Sequence, residues 1–393
     1  MATYYRILVL SLCGAFWLVL CGPAGFAQAL NGAPQASPNP IPSPKGFVVL
    51  ELRIPFISSP RGLQALLVRP DDRVAHPLAI ITHGSHDSAQ VRRAMSPQYQ
   101  LPVAMEFARR GWTAVIVMRR GYGGSDGRFE EGPAFAERRP FCGFQGYVAW
   151  GNSAADDLRA AIDFLAKRTD VDARYIISVG VSGGGFATLA LTVNPPEGLV
   201  AAINFAGGSW MPHSTNCENN LVAAFRFYGG KSRTPMLWVY SENDQVFWPE
   251  IAKRFYSAFI DAGGQARFIQ APRFEDNGHN LLGWRGIPIW TAYVDQFLRS
   301  QKLPLRRNLL AVPQLVRISP PQPPRELAAS DLPYFQEYLA AKGEKALAIS
   351  PTGKANYAYG FLELSDAEES ALGLCESNRE RCRIAFLNNY PTR

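Results

Sequence analysis

What this sequence lacks narrows it first. Only five histidines occur among 393 residues, so chemistry that needs an imidazole has few candidates. Cysteine is scarce as well, six in all, and no spacing among them fits a zinc ligand set, so no metal is expected. Charged residues make up 19% and hydrophobic residues 47% of the chain, a balance that excludes intrinsic disorder and predicts a packed core. No basic stripe is present. The formal net charge of +7 is spread over separated pairs such as Arg92-Arg93, Arg109-Arg110, Arg119-Arg120, Arg138-Arg139 and Arg306-Arg307. Nucleic-acid binding is therefore not expected, and the charge reads as solvation of the surface. No tandem repeat occurs, and the one long apolar run, Ile7 to Leu20, is shorter than the ~20 residues that cross a bilayer.

That run follows a lone cation, Arg6, and precedes Ala27-Gln28-Ala29, a small-x-small cleavage pattern. The layout predicts a signal peptide over 1–29 and an exported chain, periplasmic or secreted, with no membrane span after cleavage. Residues 30–45 are a proline-rich spacer. Cys13 and Cys21 leave with the leader, and Cys142, Cys217, Cys375 and Cys382 remain. An even number in an oxidising compartment suggests two bridges. Cys375 and Cys382 enclose the short polar loop ESNRER and make the natural local pair, which leaves Cys142 with Cys217.

From Gly46 the pattern becomes regular. Two strand-like runs, Phe47 to Pro55 and Leu63 to Val68, flank a turn. Apolar strand patterns at 77–82, 113–118, 174–179, 200–205, 236–240 and 266–270 then alternate with helical ones, including 102–110, 153–167, 249–262 and 288–299. Such alternation predicts a mostly parallel sheet covered on both faces, an α/β architecture. Residues 128–151 and 207–234 break it; they read as two long, aromatic-rich loops carrying Cys142 and Cys217. A proline-rich linker over 303–327 separates this region (46–302) from a small α+β segment, 328–393, with its own strand and helix patterns.

The stretch SVGVSGGGFA, residues 178–187, lies between an apolar strand and a helix. As a phosphate loop it fails, because no lysine follows the glycines and no carboxylate ends the next strand. Gly180-Val181-Ser182-Gly183-Gly184 instead has the form G-x-S-x-G, a turn that lifts a serine hydroxyl above a sheet. A serine needs a base and an orienting acid. Of the five histidines, His279 alone follows the acid strand, and Asp244 ends that strand in YSENDQVF, with Glu242 and Asp276 as alternatives. The bland readings, a turn aspartate and a surface-loop histidine, are each reasonable alone but together less so behind such an elbow. Two backbone N–H groups to hold an oxyanion are expected at Gly183 and at Ser85, in His83-Gly84-Ser85-His86. The rival reading of His83, His86 and Asp87 as metal ligands has no further acid or histidine cluster to support it.

Five segments now carry a resemblance: ITHGS, RRGYGGSDG, SAADDLRAAIDFLAKRTDVDARYIISVGVSGGG, VYSENDQVF and NGHN. Residues 46–300 are similar to α/β-hydrolases, most of all to the dienelactone hydrolase-like and prolyl oligopeptidase-like branches. The resemblance implies Ser182 as nucleophile, His279 as base, Asp244 as its orienter, and Ser85 and Gly183 as oxyanion donors, with no cofactor. Dienelactone hydrolases proper carry cysteine at the nucleophile position, so their substrate is not implied. The C-terminal segments KALAISPTGKANYAYG, SDAEESALGLC and CRIAF resemble a small module attached to other exported bacterial proteins.

The expected function is therefore a serine hydrolase, a carboxylesterase first, acting on a small-molecule ester. A prolyl oligopeptidase-like peptidase taking short peptides is the alternative, with Glu130-Glu131 as the nearby acids that could hold a substrate amine. A catalytically inactive hydrolase fold serving as a binding module is the third. The two long loops, tied by Cys142 and Cys217, are expected to form a cap lined by Phe141, Phe144, Tyr147, Trp150 and Trp210.

Overall fold

The computed structural model describes residues 44–392, except 57–58, 87, 132–141, 213, 312–320, 342–343, 362–363, 377–379 and 389. The expected signal peptide, nearly all of the spacer, Asp87, Phe141 and His213 lie outside the described residues. Eight strands make one sheet: β1 (Phe47–Phe56), β2 (Ser59–Pro70), β3 (His76–Thr82), β4 (Thr113–Val117), β5 (Val171–Val181), β6 (Leu199–Phe205), β7 (Met236–Ser241) and β8 (Ala266–Ala271). Their order is β1-β2-β4-β3-β5-β6-β7-β8. β2 opposes both its neighbours, and every pairing from β4 to β8 is parallel.

The chain first winds outward from β3 to β4, then returns past β3 to β5. At the reversal, Thr82 pairs with Gly180 near the C-terminal ends of β3 and β5. Crevices at such switch points are where open α/β sheets place their ligands.

Both faces of the sheet are buried, which is why its central strands are apolar at nearly every position. Leu78 and Ile80 of β3 join one core and Ala79 and Ile81 the other, the two-residue alternation of a strand. One face is covered by α3 (Phe144–Leu165), α4 (Gly183–Leu191), α5 (Thr215–Lys231) and α6 (Pro249–Asp261), the other by α2 (Leu101–Arg109) and α7 (Ile287–Ser300). Trp150 stacks on Phe186 at 5.0 Å, and Phe225 on Phe255 at 4.3 Å. Each such fully buried side chain contributes about 1.5–3 kcal/mol by leaving water.

Two expectations change. The segment 207–234 is not a long loop, because α5 occupies most of it as the ordinary crossover from β6 to β7. Its buried residues, Cys217, Leu221, Ala224, Phe225 and Tyr228, have helical spacing, and Ser214 caps its start by accepting the Cys217 N–H. Helix α3 likewise begins at Phe144, well before residue 153, so that Tyr147 and Trp150 belong to it. Trp150 is core, not the lining of a cap.

Two of the basic residues also turn inward. Arg110 is buried with Glu106 and Asp295, and Arg119 is wholly buried. The surface-solvation reading therefore fails at these positions. Residues after α7 run back along α2: the Arg306 N–H donates to Arg110 O and the Leu310 N–H to Arg109 O.

The C-terminal region forms a second, antiparallel sheet. It contains α8 (Leu332–Ala340), β9 (Glu344–Ile349), β10 (Ala355–Phe361), α9 (Leu364–Glu376), β11 (Arg383–Leu387) and β12 (Tyr390–Pro391), with strand order β10-β9-β11-β12. Ala367, Ala371 and Cys375 of α9 pack on one face, Phe335 and Tyr338 of α8 on the other. Small alanines facing one another let α9 lie close to the sheet, and a disulfide joins Cys375 to Cys382. Val91, in the short helix α1 (Ala89–Ala94), packs against this cluster.

Because each sheet carries its own core, removing residues 325–393 should leave the larger one folded. The truncated protein is expected to be soluble, with a cooperative urea transition and native near-UV circular dichroism. Aggregation, or loss of the near-UV signal, would show that the contact through Val91 is needed for folding.

Candidate active site

The chain has the α/β-hydrolase fold, and that fold reserves the ends of particular strands for a nucleophile, an acid and a histidine. Residue by residue, β5 delivers Ser182. Its backbone sits at φ 54°, ψ −123°, a left-handed conformation that costs a non-glycine residue about 1–3 kcal/mol. Neighbouring hydrogen bonds hold it there. The Ser182 N–H donates to Phe205 O at 3.0 Å, and the Ser182 carbonyl accepts from Phe186 N at 3.1 Å and Gly208 N at 3.2 Å. The glycines are required by close approach: a Cβ on Gly180 would stand 2.1 Å from Gly184 O, and one on Gly184 2.4 Å from His83 O.

The loop after β3 arrives beside this serine. A Cβ on Gly84 would be 3.2 Å from the Ser182 Cβ, and one on Gly183 would be 1.9 Å from Ser85 Oγ and 3.1 Å from Ser85 N. The structure thus brings Ser85 and Gly183 together next to Ser182.

The loops after β7 and β8 meet on the other side. Asp244 is buried, and its Oδ1 accepts the N–H groups of Val246 and Phe247, each at 2.9 Å. His279 Nδ1 lies 3.0 Å from Asp244 Oδ2 and 3.1 Å from Oδ1. A carboxylate can only accept, so Nδ1 is the donor and Nε2 is left as the acceptor. Asn243 laces the two loops together, taking Phe274 N–H at 2.9 Å and donating to Phe274 O and Glu275 O. Phe247 stands edge-on to the His279 ring at 5.6 Å. The alternative acids, Glu242 and Asp276, are exposed, whereas Asp244 is the carboxylate against the imidazole.

Beneath Ser85 lies a buried ionic cluster. Arg119 Nε donates to Glu131 Oε1 at 2.7 Å, and Glu131 Oε2 accepts from Ser85 Oγ at 2.5 Å and Tyr122 OH at 2.6 Å. Burial alone would raise the Glu131 pKa, but the Arg119 charge and these hydrogen bonds hold it below the ordinary carboxylate value. Glu131 is therefore fully engaged. Glu130 in turn accepts from Ser153 Oγ and, at 3.3 Å, from Arg120. Both contacts fall on Glu130 Oε2, so Glu131 is the acid wholly taken up within the protein.

His83 takes its own fixed form: Nε2 accepts the Arg119 N–H at 3.0 Å, so Nδ1 is the donor to Gly84 O at 2.6 Å. Both ring nitrogens are thereby used within the protein, which removes His83 from the rival ligand set. Sequence reasoning gave Arg119, Tyr122 and His83 no part in such a cluster, reading Arg119 as surface charge and His83 only as a loop residue or rival metal ligand. The available signal was Arg119-Arg120 directly after an apolar strand, a poor place for solvent-facing charge.

A disulfide joins Cys142 to Cys217. It ties the chain two residues before α3 to the first turn of α5, and Tyr147 OH donates to Trp210 O at 3.2 Å nearby. These helix starts follow the C-terminal ends of strands, the edge that carries Ser182.

Residues 62–254 match the family described as X-Pro dipeptidyl-peptidase (S15 family). No curated protein matches the sequence. Among solved structures, a putative dienelactone hydrolase from Klebsiella pneumoniae subsp. pneumoniae MGH 78578 is similar, at 17% identity and a TM-score of 0.45, covering 65% of this chain and 97% of that one. The Pyrococcus furiosus esterase Pf2001 is similar at 14% identity and TM-score 0.44, over 69% of this chain and 98% of its own. A Pyrococcus horikoshii acylaminoacyl peptidase aligns at 18% identity and TM-score 0.45, over 70% of this chain and 44% of that one.

The His83 environment yields a pH prediction. Burial, reinforced by the Arg119 charge, lowers its pKa from 6.5 to about 3 in the folded protein. Below pH 6.5 the unfolded chain therefore binds a proton that the folded chain refuses. Stability from this group is complete above that pH and falls by up to ~1.4 kcal/mol per pH unit toward pH 3. Urea unfolding of wild type and His83→Gln should show this slope only in wild type. Parallel profiles between about pH 6 and 4 would contradict it.

Proposed function

We propose that the protein is an exported serine hydrolase, a carboxylesterase, working through Ser182, His279 and Asp244. The observation that carries this reading is the coincidence of a strained serine elbow with an Asp244–His279 pair, its carboxylate buried, on the loops after β7 and β8. In the reaction, the Ser182 hydroxyl attacks the ester carbonyl while its proton passes to His279 Nε2. Asp244 holds the imidazole in the Nδ1–H form and stabilises the imidazolium. The oxyanion is received by the Ser85 and Gly183 N–H groups. His279 then protonates the leaving alcohol, and a water activated by His279 hydrolyses the acyl-enzyme.

Esters are favoured over free-amine peptides because Glu131, one of the two acids near the loop, is buried and committed to Arg119, Tyr122 and Ser85. The surroundings support an apolar substrate part: Trp210, exposed at 36%, follows two residues after Gly208, whose N–H binds Ser182 O. The second reading, a peptidase, is favoured by the match of residues 62–254 to the S15 family. Export is supported by the predicted leader and by two disulfides.

A series of p-nitrophenyl esters set against X-Pro anilides separates the two. Wild type should turn over the esters with the higher kcat/KM, and Ser182→Ala should lower kcat by on the order of 10^4 or more. Faster turnover of the anilides would make the protein a peptidase, and full activity in Ser182→Ala would remove the nucleophile assignment. Asp244→Asn should lose about 10^3–10^4 in kcat, since the histidine tautomer is no longer enforced. Asp276→Asn and Glu242→Gln should stay near wild type; a larger loss in either would mean that Asp244 is the wrong acid.

A further inference from the structure

Among the described residues, the loop carrying the Ser85 N–H has no regular secondary structure between Thr82 and α1. Its shape comes from side chains contributed by residues 119–131. Arg119 Nη1 donates to Thr82 Oγ1 at 2.8 Å and to His83 O at 2.6 Å. The Arg119 N–H fixes the His83 ring, whose Nδ1–H holds Gly84 O. Glu131 Oε2 accepts the Ser85 hydroxyl, and Tyr122 OH accepts the His86 N–H at 3.1 Å while donating to Glu131. Thr82, His83, Ser85 and His86 are thus gripped from one short segment, and Gly84 is held through the His83 ring.

We propose that Glu131, charge-balanced by Arg119 and tied to Tyr122, is a positioning residue that sets the Ser85 backbone N–H for the reaction's oxyanion. The inference rests on the serine hydrolase reading and deepens it. A carboxylate so close to a developing oxyanion would repel it if it stood alone. Paired with Arg119, Glu131 offers a strong acceptor without a net charge, and a charge-assisted hydrogen bond is stiffer than a neutral one. Preorganised donors stabilise the transition state because they need no reorientation as charge forms. The Ser85 side chain consequently acts through its grip on Glu131, and the backbone N–H does the chemistry.

The test uses the full chain and three variants: Ser85→Ala, which keeps the residue 85 N–H and leaves Arg119–Glu131 intact; Tyr122→Phe; and Glu131→Gln. The readouts are kcat and KM on an ester, the melting temperature, and inhibition by a trifluoromethyl ketone, which forms an oxyanion on Ser182. Ser85→Ala should melt within a few degrees of wild type, lose about 10- to 100-fold in kcat with KM changed less than about threefold, and lose ketone affinity in proportion. Tyr122→Phe should show the same split, less deeply. Glu131→Gln should fall at least as far as Ser85→Ala, and if it fails to fold, Ser85→Ala decides alone. Native-like Ser85→Ala and Tyr122→Phe proteins with wild-type kcat and ketone affinity would overturn the positioning role. A wild-type protein that neither cleaves esters nor binds the ketone would overturn the serine hydrolase reading, and this inference with it.

Discussion

The site depends on one strained residue. Ser182 is held at φ 54°, and the strain persists because its surroundings leave no alternative. Its N–H and carbonyl are tied to β6 and its neighbouring loop and to α4, and the glycines on either side let β5, α4 and the β3 loop close to backbone contact. The parallel sheet makes that possible. Two apolar cores fix the strands from both faces, so a cost of about 1–3 kcal/mol at one residue is small against the burial that opposes relaxation.

Around that residue, buried charge supplies the order that secondary structure does not. Asp244 draws two backbone N–H groups and His279 into one arrangement. On the opposite side Arg119 and Glu131 order the loop from Thr82 to His86. Removing one partner of such a pair strands the other in a low-dielectric interior, at a cost of about 3–5 kcal/mol. The pairs are therefore rigid frames, one holding the His279 imidazole and the other the Ser85 loop beside Ser182.

Much of this was legible in the sequence. Apolar strands alternating with helices dictate the covered parallel sheet, and G-x-S-x-G after such a strand points to Ser182. With five histidines, chain order left His279, and Asp244 sits where the preceding strand ends. Other features were hidden for physical reasons. Helix α5 was hard to see because Gly229-Gly230 and the polar turn at 215–220 dilute its apolar face. The inward course of Arg110 and Arg119 depends on partners far along the chain, Asp295 in α7 for one and Thr82 with His83 in β3 and its loop for the other. Spacing within a segment carries no record of such contacts. Trp150 was read as a cap residue because the start of α3 was placed too late, which obscured the helical phase that turns it onto Phe186.

The central claim is that Ser182 is an activated nucleophile, and its chemical reactivity tests that most directly. The intact protein would be treated with a fluorophosphonate at neutral pH, digested, and sequenced by tandem mass spectrometry. The account predicts a single stoichiometric adduct, on Ser182, absent when the protein is first unfolded in urea. No adduct on the folded protein, or one on a different serine, would contradict it.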